Sequence, residues 1–128
     1  MGETLWVRAV RGAAPVPGNT PRSILYATRK LLTAISDRNS LQPENIISVI
    51  LSLTPDLNAA FPAEAARELG WLNVPLFCTT EIPVPGALKM CVRVLVHAYL
   101  PCKQDEVKHI YLEEAAALRP DIHGQKNG

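Results

Sequence analysis

Leu88-Lys89-Met90-Cys91-Val92-Arg93-Val94-Leu95-Val96-His97-Ala98-Tyr99 reads as the longest strand of the chain. In an extended backbone successive side chains point to opposite faces. Met90, Val92, Val94, Val96 and Ala98 therefore share one side, and Cys91, Arg93, Leu95, His97 and Tyr99 the other. Both sides are too apolar for a strand with one wet face, so both need cover. Arg93 lies between Val92 and Val94, where its charge cannot easily escape to water and needs an anionic partner. That partner is either a carboxylate such as Glu81 or a bound anion.

Working outward, the other elements cannot cover both faces of such a strand. Leu5–Gly12 reads as a first strand, followed by a Pro/Gly loop through Asn19. Thr20-Pro21 predicts a helix start, with Thr able to cap free N–H groups and Pro suited to the first turn. Behind it Ile24, Leu25, Thr28, Leu31, Leu32 and Ile35 recur at helical spacing, and this long helix ends near Asp37–Asn39. Ile46–Thr54 is a continuous apolar, β-branched run, as for a strand buried on both faces. A short helix is expected over Pro62–Leu69 with Gly70 as its stop, then a strand over Val74–Glu81 and a turn at Pro83-Val84-Pro85-Gly86. Lys108–Leu112 reads as a fifth strand, Glu113–Leu118 as a helical turn. The sum is an α+β fold: a five-stranded mixed sheet with one long and one or two short helices. One long helix covers one face, and a partner subunit is the economical cover for the other.

Residues 1–121 form a single expected domain, with 122–128 as a polar tail. The chain has 128 residues, is 48% hydrophobic and carries a net charge of +1. No block of Lys and Arg suggests nucleic acid, and no apolar run is long enough to span a bilayer. The start, Met1-Gly2-Glu3-Thr4, does not read as a signal peptide. Cys78, Cys91 and Cys102 are odd in number and widely spaced, so neither a disulfide framework nor a zinc site is expected, and a cytoplasmic location is.

Arginine is the residue type that stands out. Arg8 and Arg11 fall in the first strand, Arg67 on the short helix, Arg93 mid-strand and Arg119 just after Leu118. Any one of them except Arg93 reads more simply as a surface arginine with its stem over apolar neighbours. Glu81 ends a strand and would ordinarily be solvated. Cys78 reads as a small core residue with no histidine placed to activate it, and alternation puts it on the face opposite Glu81. Phosphate-binding glycine loops, nucleophile elbows and metal-spaced clusters are missing from the sequence. These residues suggest an anion pocket with several arginines and one carboxylate.

Six fragments extend this reading: Val10-Arg11-Gly12-Ala13; L-S-L-T-P-D-L-N over Leu51–Asn58; A-F-P-A-E-A-A-R-E-L over Ala60–Leu69; V-P-L-F-C-T-T-E over Val74–Glu81; A-L-K-M-C-V-R-V over Ala87–Val94; and H-I-Y-L-E-E-A-A-A-L-R-P-D over His109–Asp121. In this order they resemble the chorismate mutases of the small α/β-barrel class. The resemblance implies an isomerase of the shikimate pathway, a homotrimer whose sheets form a pseudo α/β-barrel, with its sites in clefts between subunits. It implies that Arg11, Cys78, Glu81, Arg93, Tyr111, Leu118 and Arg119 come from one subunit and Phe61, Ala63 and Arg67 from its neighbour. Arg93 would stabilise the breaking ether oxygen of chorismate, Arg11 with Tyr111 would hold a carboxylate, and Glu81 would accept from the ring hydroxyl. Phe61 and Leu118 would be apolar walls, with Arg67 and Arg119 at the mouth and no cofactor required. The family often has Lys at the position of Glu64, which therefore receives no substrate role. Two other readings stay open: a Rid-type enamine/imine deaminase, and a non-enzymatic trimeric module that binds small anions.

Overall fold

The computed structural model describes residues 4–113 and 115. Its elements run β1 (Trp6–Pro15), α1 (Pro21–Asn39), β2 (Ile46–Leu53), α2 (Ala63–Glu68), β3 (Leu76–Thr80), β4 (Cys91–Leu100) and β5 (Ile110–Tyr111). Single 3-10 turns at Pro43–Asn45 and Gln104–Glu106 precede β2 and β5. The sheet order is β3-β2-β4-β1-β5. The central β4 is antiparallel to β1 and β2, while β2–β3 and β1–β5 are parallel pairs. This is the mixed five-stranded sheet expected, and it does not close on itself.

The α1 helix begins as its sequence dictates. Thr20 is extended and its Oγ1 accepts from the Ser23 N–H at 3.1 Å, with Pro21 in the first turn. Ser40 ends the helix in the left-handed region, φ 53°, its N–H donating to the Ser36 carbonyl. Ile24, Ala27, Thr28, Leu31, Leu32 and Ile35 are buried. They pack with Val10, Val49, Leu51, Val92, Val94 and Val96 of the sheet in one core. Thr28 is satisfied by donating to the Ile24 carbonyl at 2.7 Å. At Gly12 the helix meets bare backbone: a Cβ there would lie 2.8 Å from Ile35 Cδ1 and 3.0 Å from the Ile110 carbonyl oxygen.

Several boundaries differ from those expected. β1 continues past Gly12 to Pro15, pairing with β4 throughout. β4 starts at Cys91 rather than Leu88, because Met90 takes φ 52°. The Asp56 carboxylate, accepting from the Met90 N–H at 3.1 and 3.2 Å, holds it there. β5 is reduced to Ile110–Tyr111, since Glu113 at φ 51° turns the chain away. Most of the expected turn over Glu113–Leu118, and the whole tail, lie outside the described residues.

β2 is not covered on both faces, and β4 is covered on one only. Val49, Leu51 and Leu53 are buried under the helices, whereas Ile50 is 37% exposed. On the outer face, side chains line up in cross-strand rows. One row is Phe77, Ile50, Leu95 and Arg11. Farther along β4, Val7 and Tyr99 stand opposite one another, both exposed. Among the described residues nothing covers this apolar band.

Candidate functional site

The row next to that band crosses the entire sheet. Thr79 pairs with Ser52, Ser52 with Arg93, Arg93 with Ala13, and Ala13 with Tyr111. The row thus takes one residue from each strand, all on the outer face, and its centre is the Arg93 predicted to need an anion. Ala13, between Arg93 and Tyr111, is buried and packs with Cys91, Tyr111 and Ala115. Glu81 extends the β2–β3 pairing by one bond, its N–H donating to the Leu53 carbonyl at 2.9 Å. Its carboxylate then accepts from Arg93 Nη1 at 3.1 Å. Arg11 stands beside them, opposite Leu95.

Arg11, Ser52, Glu81, Arg93 and Tyr111 line a concavity of about 380 Å³ whose walls include Ile50 and Leu95. That volume is of the size that small ligands occupy. The Arg93 side chain is 39% exposed and that of Glu81 25%. The expectation that Arg93 is cut off from water is therefore corrected for the single chain: the open outer face lets the guanidinium lean out of the strand. A pair so open to water contributes little to stability, so Glu81 is readily displaced as the arginine's partner.

Two hydroxyls in the concavity point to a missing partner. Tyr111 is 4% exposed and Ser52 7%. Among the described residues neither Tyr111 OH nor Ser52 Oγ has a hydrogen-bond partner. Buried hydroxyls normally have one, so both have bonding capacity that the described residues do not use. The Thr54-Pro55-Asp56 turn fixes the approach to Arg93 from behind. Thr54 Oγ1 donates to Asp56 and accepts from the Cys91 N–H at 3.0 Å, while Asp56 holds Met90. Burial raises the Cys91 thiol to about 11, against a smaller lowering by Arg93, so it remains protonated near neutral pH.

The other predicted site residues lie elsewhere. Cys78 pairs with Leu51 and packs against the helix-side core, on the opposite face from Glu81. Only its backbone sits at the level of the site, as strict alternation implied. Phe61 is 70% exposed just before α2, Arg67 is exposed on α2, and Ala63 is buried there. All three lie away from the concavity of their own chain. Glu64 is exposed too. Leu118 and Arg119 lie outside the described residues. Arg8 is engaged structurally, its Nε donating to the Cys102 carbonyl at 2.7 Å and its guanidinium lying over Trp6. Sequence reasoning passed over Ser52. The available signal was a hydroxyl inside the aliphatic run Ile46–Leu53, at a position alternating away from Leu51 and Leu53.

Comparison with known proteins identifies the family. The model of the family "Chorismate mutase type I" matches residues 7–122. Chorismate mutase AroH of Bacillus subtilis (strain 168) is 44% identical over 124 residues, spanning 96% of this chain and 98% of the relative. Chorismate mutase AroH of Thermus thermophilus is 47% identical over 117 residues, 91% of this chain and 96% of the relative. The solved structure of a chorismate mutase from Clostridium thermocellum superposes with TM-score 0.84 at 44% identity, covering 85% of this chain and 97% of that one. Neither the deaminase nor the non-enzymatic reading finds support in them. The chain belongs to the chorismate mutase type I family.

Proposed function

We propose that this chain rearranges chorismate to prephenate in the concavity on its outer sheet face, with a second subunit completing the pocket. The observation that carries this reading is the row itself. With Glu81 beside it, the row sets a guanidinium, a carboxylate and a buried phenol, unpartnered among the described residues, around one small cavity, in a chain of this family.

The chemistry asks for little beyond that set. The ether carbon–oxygen bond breaks as a carbon–carbon bond forms in one pericyclic step, with no net change of protons or electrons. The protein's task is to hold the compact reactive conformer and to meet charge as it develops on the ether oxygen. Arg93 is the group for that oxygen: its charge is permanent and, beyond the bond to Glu81, its fork has further N–H donors to offer. Arg11 and the Tyr111 hydroxyl hold the carboxylate of the enolpyruvyl arm. Glu81 accepts from the ring hydroxyl, aided by the backbone at Cys78. Phe61, Ala63 and Arg67, which do not line the concavity of their own chain, would reach this pocket from the neighbouring subunit, as the resemblance implies. Leu118 and Arg119 would close the mouth.

In this reading the uncovered band of Val7, Ile50, Phe77, Leu95 and Tyr99 is the surface on which neighbouring subunits pack, in a homotrimer whose three sheets make a pseudo-barrel. Cys78, Cys91 and Cys102 are free thiols, which suits a cytoplasmic enzyme. Among the described residues no helix is long and apolar enough to cross a membrane. The test is direct. Purified protein is mixed with chorismate and the loss of its absorbance followed, with prephenate identified as product. No loss above the uncatalysed rate would overturn the reading.

A further inference from the structure

We propose that Ser52 is a positioning residue for the reaction, its hydroxyl holding the Arg93 guanidinium in the orientation that meets the substrate's ether oxygen. The inference rests on the function just proposed and adds a residue to its machinery.

Ser52 lies directly opposite Arg93 on the neighbouring strand, and cross-strand partners on one face stand within about 4.5–5.5 Å at Cβ. Its Oγ is buried and unpartnered, although a serine hydroxyl can both donate and accept. Burying such a group without a bond is unfavourable, and an alanine there would remove that cost. Two other buried hydroxyls are satisfied locally, Thr28 through the Ile24 carbonyl and Thr54 through Asp56 and the Cys91 N–H, whereas Ser52 Oγ, like Tyr111 OH, is not. Ser52 thus has bonding capacity left for a neighbour. The long side chain opposite it is Arg93, 39% exposed and bonded to Glu81 through Nη1.

When Glu81 turns to the ring hydroxyl of chorismate, Arg93 loses part of its anchor. The Ser52 oxygen, fixed on the sheet, can then accept one guanidinium N–H while others face the ether oxygen. A long side chain gripped at one edge cannot swing, so its charge is preorganised where the transition state needs it. Ser52 belongs to the lining of the concavity, but its Oγ is buried, so in this proposal the hydroxyl acts on Arg93 and not on substrate. Its effect therefore falls on the transition state more than on ground-state binding.

The experiment compares wild type, Ser52→Ala and Ser52→Thr on chorismate, with thermal melts of each. Ser52→Ala should melt no lower than wild type, yet lose about tenfold in kcat with KM within roughly twofold, the weight of one charge-assisted hydrogen bond. Ser52→Thr, which restores the hydroxyl, should recover most of that loss. Unchanged kcat in Ser52→Ala would overturn the proposal, and so would an effect confined to KM. A Ser52→Ala protein that loses activity only in step with its melting temperature would also overturn it. Wild type that turns over chorismate while Ser52→Ala is unaffected removes this inference alone; inactive wild type removes the function on which it rests.

Discussion

Glu81, one residue past β3, and Arg93 of β4 meet at 3.1 Å over the intervening β2, and the arginine's worth can be read from kinetics. If its donors meet charge that exists only in the transition state, Arg93→Ala should lower kcat far more than it raises KM. The expected loss is roughly several hundredfold to a thousandfold, or about 3–4 kcal/mol. Arg93→Lys keeps the charge but not the planar fork, so it should rescue little. Steady-state kinetics on both, with circular dichroism to confirm folding, would show a change in KM alone if Arg93 were merely a carboxylate clamp. Cys78 makes the opposite case. Its side chain packs toward the core, so Cys78→Ala should retain most activity, and a chelator should leave wild type unaffected. Abolition of turnover in a folded Cys78→Ala would mean that the thiol does chemistry assigned here to arginine.

At the scale of the element, α1 and β1 depend on one missing methyl group. Gly12→Ala would place a Cβ against Ile35, Leu31 and the Ile110 carbonyl. The helix must then lift or the strand bend, at about 1–3 kcal/mol of overpacking. A melting temperature equal to that of wild type would show that the contact is looser than its distances imply. Which elements were legible follows from where their causes lie. α1 was readable because its cap, its proline and its apolar stripe are all local. The two faces of β4 were readable because alternation is a property of the strand itself. The start of β4 was not, since the positive φ of Met90 is imposed by Asp56, remote in sequence. Nor was the shortness of β5, which depends on the turn at Glu113. Within the site, Arg11, Glu81 and Arg93 stood out as charges in or beside apolar strands, Tyr111 came through the family resemblance, and the four line one cavity. Ser52 escaped because its one signal, a hydroxyl in an aliphatic run, does not by itself tell a site residue from a core one.

For the whole molecule, the decisive feature is a sheet with helices on one side only. Phe77 at 67% exposure, Val7 at 54% and Tyr99 at 45% leave an apolar surface that a soluble chain seldom shows unoccupied. Sedimentation at assay concentrations should find a trimer, and introducing a charge by Phe77→Asp should break it and abolish turnover together, because in the proposed assembly the pocket would take Phe61 and Arg67 from a neighbour. A fully active monomer would refute both the interface and the shared site. The cross-strand row has a further consequence, for folding. Its members stand at positions 13, 52, 79, 93 and 111, so no contiguous fragment contains it, and its end-to-end closure joins the first strand to the last. Contacts of such long sequence separation form late and slowly. Catalytic competence is thus a clock for the final event of self-assembly: on dilution from denaturant, helical signal should return first and turnover last.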